Sequence, residues 1–353
     1  MNLFIADAVV RDCSELKPRL QALRFSKVVG VFDEREVIEW VADFDPSLHW
    51  QVLRDVVGGS EAEWGPIRAL VETEGVGARL LSLRDADGQW SGGAFFPPGF
   101  TGRQFQEEGQ PWTTTTWALT QLREFGFDPK SARAREAVRL VGENSRWDND
   151  GQPYWTGEVE ECINGRTAAD GAYFGVDVAP IVSRLVGESL PDGGWNCERC
   201  NGSSRSSFAT TINVLEGLLE FERATGGTTQ SHDARKGGEE YLLARHLFRR
   251  ASTGEPADEQ FLTLTYPTRW RYDVLRALDY FRAASRFDGT APDARLAEGI
   301  ELVRSRRDES GRWQLDWLPR GATLFDLDDG PGQASPWITL RALRVLRWWD
   351  EQT

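Results

Sequence analysis

The sequence predicts an all-α protein, an (α/α)6 toroid in which six inner helices are surrounded by outer helices within one domain. Three observations support this fold class. Apolar residues recur at helical spacing along most of the chain. Helices that are apolar on every face alternate with helices that carry a single apolar stripe. A turn containing glycine and tryptophan recurs between them at intervals typical of a solenoid or a closed array.

The predicted inner helices begin near residues 112, 162, 207, 269 and 336, and the segment 45–58 would supply the sixth. The helix from 207 is the clearest example. Its apolar side chains cover more than one face, so we expect it to be largely buried. These side chains are Ile212, Val214, Leu215, Leu218, Leu219 and Phe221.

The predicted outer helices have one apolar stripe against a charged face. Segments 234–249 and 291–305 show this alternation and are typical of helices that cover a core from outside. The turns that precede inner helices end at Trp90, Trp155 and Trp195, and a further one ends at Trp313. We expect these tryptophans to join each outer helix to the inner helix that follows.

Residues 1–30 do not fit the repeat and are predicted to form an N-terminal extension, while residues 31–353 form the toroid domain. The net charge of −14, from 41 basic and 55 acidic residues, argues against nucleic acid as a partner. The sequence contains no apolar run of the length that a transmembrane helix needs. Its four cysteines do not form a disulfide framework, which favours a cytoplasmic location. The sequence leaves the oligomeric state open.

The recurring Gly-x-Trp turns between antiparallel helices resemble those of the terpenoid-cyclase and protein-prenyltransferase superfamily, over roughly residues 40–350. The resemblance implies a single-domain, squalene-cyclase-like toroid with a central cavity that opens where the inner helices begin. It also implies an enzyme that acts on a small, largely apolar, isoprenoid-like substrate by acid or metal-assisted chemistry.

Residues near the starts of the inner helices are therefore the candidates for substrate binding. Aromatic and threonine side chains there provide a half-apolar wall, and arginines provide charge for a polar or anionic head group. The candidates are Trp112, Thr116, Arg166, Tyr173, Trp195, Arg205, Phe208, Arg271 and Trp337.

The segment LFDLDDGPG places Asp326, Asp328 and Asp329 in a D-x-D-D arrangement. Crowded carboxylates cannot all ionise, so one can keep a proton and act as a general acid. The segment resembles the acid motif of class II terpene cyclases, except that a Gly-Pro-Gly turn separates it from the next inner helix. Asp170, in the helix from 162, is a further catalytic candidate.

Three cysteines are candidates for zinc ligands. Cys197 and Cys200 have C-x-x-C spacing, and Cys162 begins the preceding inner helix, so three thiols can converge at one mouth. The protein prenyltransferases bind zinc in this region, but Ala209 stands where the resemblance implies their histidine ligand. A fourth ligand would be water or one of Glu198, Asp170 and Asp192.

Two other functions are compatible with the sequence. One is an (α/α)6 glycosidase or lyase, in which tryptophans stack on sugars and Asp328 pairs with Asp170 or Glu198 as acid and base. The other is a non-catalytic binding protein that kept the toroid, a function that the absent histidine favours. The two enzymatic functions require a small-molecule substrate in the barrel, whereas a barrel filled by side chains would favour the third.

Overall fold

The computed structural model describes residues 32–352, and their regular structure is helical, with isolated β-bridges but no strands. This confirms the all-α class for that part of the chain; the predicted extension at 1–30 lies outside it. The α-helices are α1 (Glu34–Phe44), α2 (Pro46–Gln51), α3 (Glu61–Ala69), α4 (Gly75–Ser82), α5 (Gly102–Glu108), α6 (Thr115–Phe125), α7 (Ala132–Asn144), α8 (Glu161–Tyr173), α9 (Ala179–Gly187), α10 (Phe208–Thr225), α11 (Thr229–Leu243), α12 (Val274–Asp288), α13 (Ala297–Ser305) and α14 (Pro336–Gln352).

Helices buried on most faces alternate with helices buried on one side. In α8, α10, α12 and α14 most residues are buried, whereas α7, α9 and α13 bury only one apolar stripe. The buried helices α8 and α10 touch through their backbones. A Cβ atom on Gly165 would lie 2.5 Å from the Asn213 carbonyl oxygen, and one on Gly217 would lie 2.4 Å from the Gly165 carbonyl oxygen. Glycine is required at both positions because any side chain would push the helices apart.

Polar contacts also join the buried helices to one another, including a contact between the last helix and the first. The contacts are Trp50 to Phe125 (α2–α6), Arg123 to Asp170 (α6–α8), Arg166 to Asn213 (α8–α10), Arg276 to Glu216 (α12–α10), Arg344 to Asp279 (α14–α12) and Arg344 to Gln51 (α14–α2). A π-helical turn, Val52–Val56, continues α2 and also contacts α14.

Three tryptophans join a helix that is buried on one side to the mostly buried helix that follows, in the same way. Each indole Nε1 donates to a carbonyl ten residues earlier, in or next to the preceding outer helix, and each backbone N–H donates to a threonine in the following buried helix. The sets are Trp90 with Leu80 and Thr115, Trp195 with Leu185 and Thr211, and Trp313 with Val303 and Thr339. These three turns therefore connect the helices that precede and follow them, as predicted. Trp155 differs, because it donates to Val138 and is only half-buried.

The predicted starts of the buried helices agree with the structure at α8, α10 and α14, and α6 begins three residues later than predicted, at Thr115. The largest difference is at α12, which begins at Val274 rather than near 269. Arg269 has a φ of +56°, outside the right-handed helical region, and the Asp273 side chain accepts from the Arg276 N–H and so begins the helix. Among the described residues, no helix combines the length and apolar character needed to cross a lipid bilayer.

Candidate active site

An aromatic cavity of about 590 Å³ lies at the amino-terminal ends of α6, α8 and α10. Aromatic rings form much of its wall, and thiols, carboxylates and one buried arginine form the rest. The aromatic residues are Phe95, Phe96, Phe105, Trp117, Trp147 and Trp270, and the ionisable ones are Asp148, Glu158, Glu160, Cys162, Arg166, Cys197 and Glu198. A wall of this composition suits a largely apolar ligand that carries a polar group.

The loop between Trp195 and α10 reaches the rim of this cavity. The Asn196 side chain accepts from the Glu198 N–H and starts a 3₁₀ turn at Cys197–Asn201. Ser207 then caps α10 by accepting from the Thr210 N–H at 3.0 Å. Cys197 and Glu198, from the beginning of the loop, and Ser207, Ala209 and Thr210, from its end and the first turn of α10, line the cavity. Both ends of this loop therefore contribute to the wall of the aromatic cavity.

Glu160, Cys162 and Cys197 form a cluster whose ligand atoms all lie within 4.8 Å of one another. Cys162 stands in the first turn of α8, and its Sγ lies 3.6 Å from the Glu160 carboxylate. A hydrogen bond with Cys197 and burial raise the pKa of Cys162, so this thiol is protonated at neutral pH. Two thiolates and a carboxylate are a donor set that suits zinc and leaves one coordination position open. We call these three residues the Glu-Cys-Cys cluster.

Cys200 is not part of this cluster. Its side chain is exposed, and its Sγ lies 3.5 Å from the carbonyl oxygen of Cys197 rather than near the other thiols. The third residue of the cluster is Glu160, whereas the C-x-x-C spacing predicted Cys200. Since Glu160 lies two residues before Cys162 at the entry to α8, its proximity could have been inferred from the sequence.

Arg166 provides a fixed positive charge on the cavity wall. Its side chain is 3% exposed and donates to the Asn213 Oδ1 atom at 2.7 Å and to the Arg269 carbonyl. The same Asn213 oxygen accepts from Arg276 at 3.0 Å. Burial and, to a smaller extent, the positive charge of Arg276 lower the pKa of Arg166. Arg166 is thus the one arginine among the substrate-binding candidates that lines the aromatic cavity.

Asp170 is enclosed in the core and does not line the aromatic cavity. Its carboxylate accepts from Arg123 at 2.7 Å and from the Thr120 hydroxyl at 2.7 Å. Burial raises its pKa, although both partners stabilise the charged form. Asp170 therefore joins α8 to α6, and it has no exposed surface with which to meet a substrate.

The predicted D-x-D-D acid lies before α14, and none of its carboxylates lines the aromatic cavity. Asp326 and Asp329 are exposed. Asp328 is half-buried and accepts from the Ser335 hydroxyl at 2.6 Å, while Ser335 in turn accepts from the Ile338 N–H in the first turn of α14. Burial raises the pKa of Asp328, with smaller contributions from the two neighbouring carboxylates. Ser335 therefore caps α14, and Asp328 holds the capping hydroxyl in place.

The other candidates for substrate binding lie outside the aromatic cavity. Trp112, Thr116, Trp195 and Phe208 are buried, and Arg205 is exposed. Each buried one has a packing or hydrogen-bonding role: Trp112 donates to the Arg320 carbonyl, Thr116 to the Ala94 carbonyl, Trp195 to the Leu185 carbonyl, and Phe208 packs against Tyr241, Phe261 and Tyr272. Arg271 lies over the rings of Trp270 and Trp317. Tyr173 and Trp337 line a second cavity.

A scan of protein-family models found no match, and a search of curated proteins found no relative. The chemistry of the residues in the cavities is therefore the guide to function.

Several residues of the aromatic wall were not singled out by sequence reasoning. Phe95 and Phe96 belong to a non-helical segment before α5, and their backbone N–H groups donate to the Asp148 carboxylate at 3.1 and 3.2 Å. Trp147 belongs to the loop after α7. The segment GGAFFPPGF, rich in aromatic residues and unsuited to a helix because of its glycines and prolines, was the available signal.

Proposed function

We propose that this protein is an enzyme, similar to the terpenoid cyclases and protein prenyltransferases, that acts on a small and largely apolar substrate by metal-assisted chemistry. The substrate would be isoprenoid-like and would occupy the aromatic cavity. The observation that carries the proposal is the position of the Glu-Cys-Cys cluster, which supplies three metal ligands on the wall of that cavity.

The proposed architecture is an (α/α)6 toroid. The contacts between successive buried helices, together with the contact of Arg344 in α14 with Gln51 in α2, support a closed ring. The outer helices would be α1, α4, α7, α9, α11 and α13. All except α4, which α5 separates from α6, are next in sequence to a buried helix. The tryptophan turns support this arrangement because they join outer helices to buried ones at three separate places.

Each part of the aromatic cavity has a role in this proposal. Glu160, Cys162 and Cys197 would hold a zinc ion, which when bound supplies Lewis-acid chemistry and an open coordination position. The aromatic rings would bind the apolar part of the substrate, exclude water and stabilise positive charge over their faces. Arg166 would bind a polar or anionic group, since its guanidinium is held rigidly by Asn213.

Metal-assisted chemistry is preferred to acid chemistry because the D-x-D-D carboxylates lie outside the aromatic cavity. The glycosidase alternative pairs Asp328 with Asp170 or Glu198. Asp170 is enclosed and paired with Arg123. Glu198 lines the aromatic cavity but Asp328 does not, so neither pair meets there. A non-catalytic binding protein would have the same cavity without turnover, so activity has to be measured as well as binding.

Metal content tests the proposal most directly. We expect about one zinc ion per chain, measured by mass spectrometry of the purified protein, and its loss in Cys162→Ser and in Cys197→Ser. Cys200→Ser is the matched control, because this exposed thiol lies in the same loop but outside the cluster. It should retain the metal. Affinity should fall as pH falls, since the cysteines must lose protons to bind and the pKa of Cys162 is already raised.

Two results would contradict this proposal. A protein that takes up no stoichiometric zinc, even when titrated with it under reducing conditions, has no metal site of this kind. Loss of metal from Cys200→Ser but not from Cys162→Ser would show that the ligands are different. Incubation of the zinc-loaded protein with isoprenoid compounds, followed by product analysis, then separates the enzyme from a binding protein, which would give binding without conversion.

A further inference from the structure

A second cavity, which we call the charged cavity, has a volume of about 560 Å³ and is lined by residues of α2, α6, α10, α12 and α14. Nine arginines and five carboxylates line it. This balance is the reverse of the whole chain, which has 55 acidic and 41 basic residues. Arg123 pairs with Asp170, which does not line the cavity. The other eight arginines still outnumber the five carboxylates, so the cavity has an excess of positive charge.

The excess is concentrated where five arginines share two carboxylates. Asp55 lies 2.8 Å from Arg54, 3.4 Å from Arg344, and 3.7 Å from both Arg282 and Arg286. Asp279 pairs with Arg282 at 3.1 Å and with Arg341 at 3.3 Å, and it also pairs with Arg344. Two negative charges therefore face five positive ones within a few ångströms.

These arginines have limited access to water. The side chain of Arg282 is 7% exposed, that of Arg344 is 11% exposed and that of Arg341 is 14% exposed. Burial, with smaller contributions from the charges of Arg344 and Arg286, lowers the pKa of Arg282 to about 10 in spite of its two carboxylate partners. Uncompensated cations in a partly dry site are costly, and a bound anion would remove that cost.

Another arginine of this cavity has only neutral partners among the residues that the structure describes. Arg68 donates to the Gly126 carbonyl at 2.7 Å and to the Tyr173 hydroxyl at 3.0 Å. Its guanidinium lies 5.3 Å from the ring centre of Trp50, and Arg54 approaches the same ring at 4.4 Å. Arg68 therefore adds a charge to the cavity wall that no carboxylate of the described chain balances in an ion pair.

We propose that the charged cavity is a binding site for a small anion that carries a phosphate or diphosphate group. Guanidinium groups match phosphate oxygens in geometry as well as in charge, since each can donate two parallel hydrogen bonds. The ring of Tyr266 stacks on Trp337 at 5.1 Å on the same wall, so an organic part of the ligand would also find an apolar surface. The site is separate from the Glu-Cys-Cys cluster and does not depend on the function proposed for that cluster.

Titration calorimetry with inorganic pyrophosphate tests this proposal on the full chain. We expect saturable binding that weakens about ten-fold or more in Arg68→Gln and in Arg286→Gln. Arg286 is 43% exposed at the cavity wall, so its replacement should leave the fold intact. Arg139→Gln is the matched control, since this arginine is 56% exposed on α7 and pairs only at the surface with Glu143. It should bind pyrophosphate as the unmodified protein does.

Pyrophosphate also binds zinc, so the titration is repeated on Cys197→Ser without divalent metal. If Cys197→Ser binds pyrophosphate as tightly as the unmodified protein does, the anion binds away from the cluster. If this variant no longer binds pyrophosphate, the proposed site is wrong, and the result says nothing about whether the cluster binds metal. The proposal is also wrong if millimolar pyrophosphate gives no binding, if both arginine variants bind normally, or if sulfate at equal ionic strength competes equally well. An alkyl diphosphate that binds more tightly than pyrophosphate would identify an organic ligand, and equal affinities would identify the inorganic ion.

Discussion

Asp273 is a buried carboxylate whose ionisation opposes folding. It is 2% exposed and caps α12 by accepting from the Arg276 N–H at 2.7 Å. Burial raises its pKa to about 6, although Arg341 and Arg276 stabilise the charged form. The cap needs an oxygen acceptor at this position but does not need a negative charge.

We expect Asp273→Asn to change how stability depends on pH. Between the ordinary pKa of 3.8 and the folded value of about 6, the folded state holds a proton that the unfolded state has lost. Stability therefore falls as pH rises through this window, by about 3 kcal/mol if the whole shift is expressed. The asparagine variant keeps the acceptor and loses this dependence. Urea unfolding from pH 4 to 7 measures the difference between the two proteins, and parallel curves would contradict the assignment.

The Gly-Trp turn is the element that repeats in this fold, and the space around its glycine is too small for a side chain. Gly88, Gly193 and Gly311 have φ values of +93°, +95° and +83°. A Cβ atom on Gly193 would lie 2.6 Å from the Gly237 carbonyl oxygen in α11, and one on Gly88 would lie 2.3 Å from the Leu140 Cβ in α7. At these two places the turn thus packs against a further helix, in addition to connecting the helices before and after it.

Gly193→Ala should destabilise the protein by about 1–3 kcal/mol, because alanine is strained at this φ and its methyl group meets backbone. Gly187→Ala is a matched control six residues earlier: it ends α9, and a Cβ atom there would have no heavy atom within 4 Å. That substitution should be neutral or slightly stabilising. Thermal unfolding of both variants provides the comparison. Equal melting temperatures of the two variants would show that the turn accommodates the alanine side chain without loss of stability.

Among the structural elements, those whose conformation depends on residues close together in the chain could be predicted from the sequence. The tryptophan turns and the start of α10 were predictable because glycine, tryptophan and a serine cap act within a few residues. The exclusion of Cys200 from the cluster was not, since it depends on how a 3₁₀ turn directs one thiol. Nor was the partner of Asp170, because Arg123 comes from a different helix.

At the scale of the whole molecule, Asp55 and Asp279 connect the beginning of the described chain to its end. Asp55 follows α2, Asp279 lies in α12, and Arg344 of α14 contacts both. The surrounding arginines outweigh the effect of burial and hold the pKa of each carboxyl well below its usual range. No local signal in the sequence predicts the charged cavity, because its residues come from segments far apart in the chain.

Asp279→Asn should destabilise the protein at pH 7 by about 3–5 kcal/mol, because it leaves buried arginines without their counter-ion. Asp350→Asn is the control, because Asp350 of α14 is 53% exposed and pairs at the surface with Arg304 of α13. It should change stability by less than about 0.5 kcal/mol.

The stabilisation from Asp279 is complete above its ordinary pKa of 3.8 and is lost as pH falls through the lower folded value. The two proteins should therefore converge only in strong acid. Denaturant titrations at a series of pH values would show this, and a constant difference across the acid range would contradict it.

Asn213 lies between the two cavities, where its Oδ1 atom accepts from Arg166 of the aromatic cavity and from Arg276 of the charged cavity. A ligand that draws either guanidinium away from this oxygen leaves it to the other arginine alone. If both cavities bind ligands through these arginines, we expect a thermodynamic linkage: a ligand in one cavity would alter affinity in the other, and the reverse effect would have the same size. The Asn213 amide would then couple the two sites.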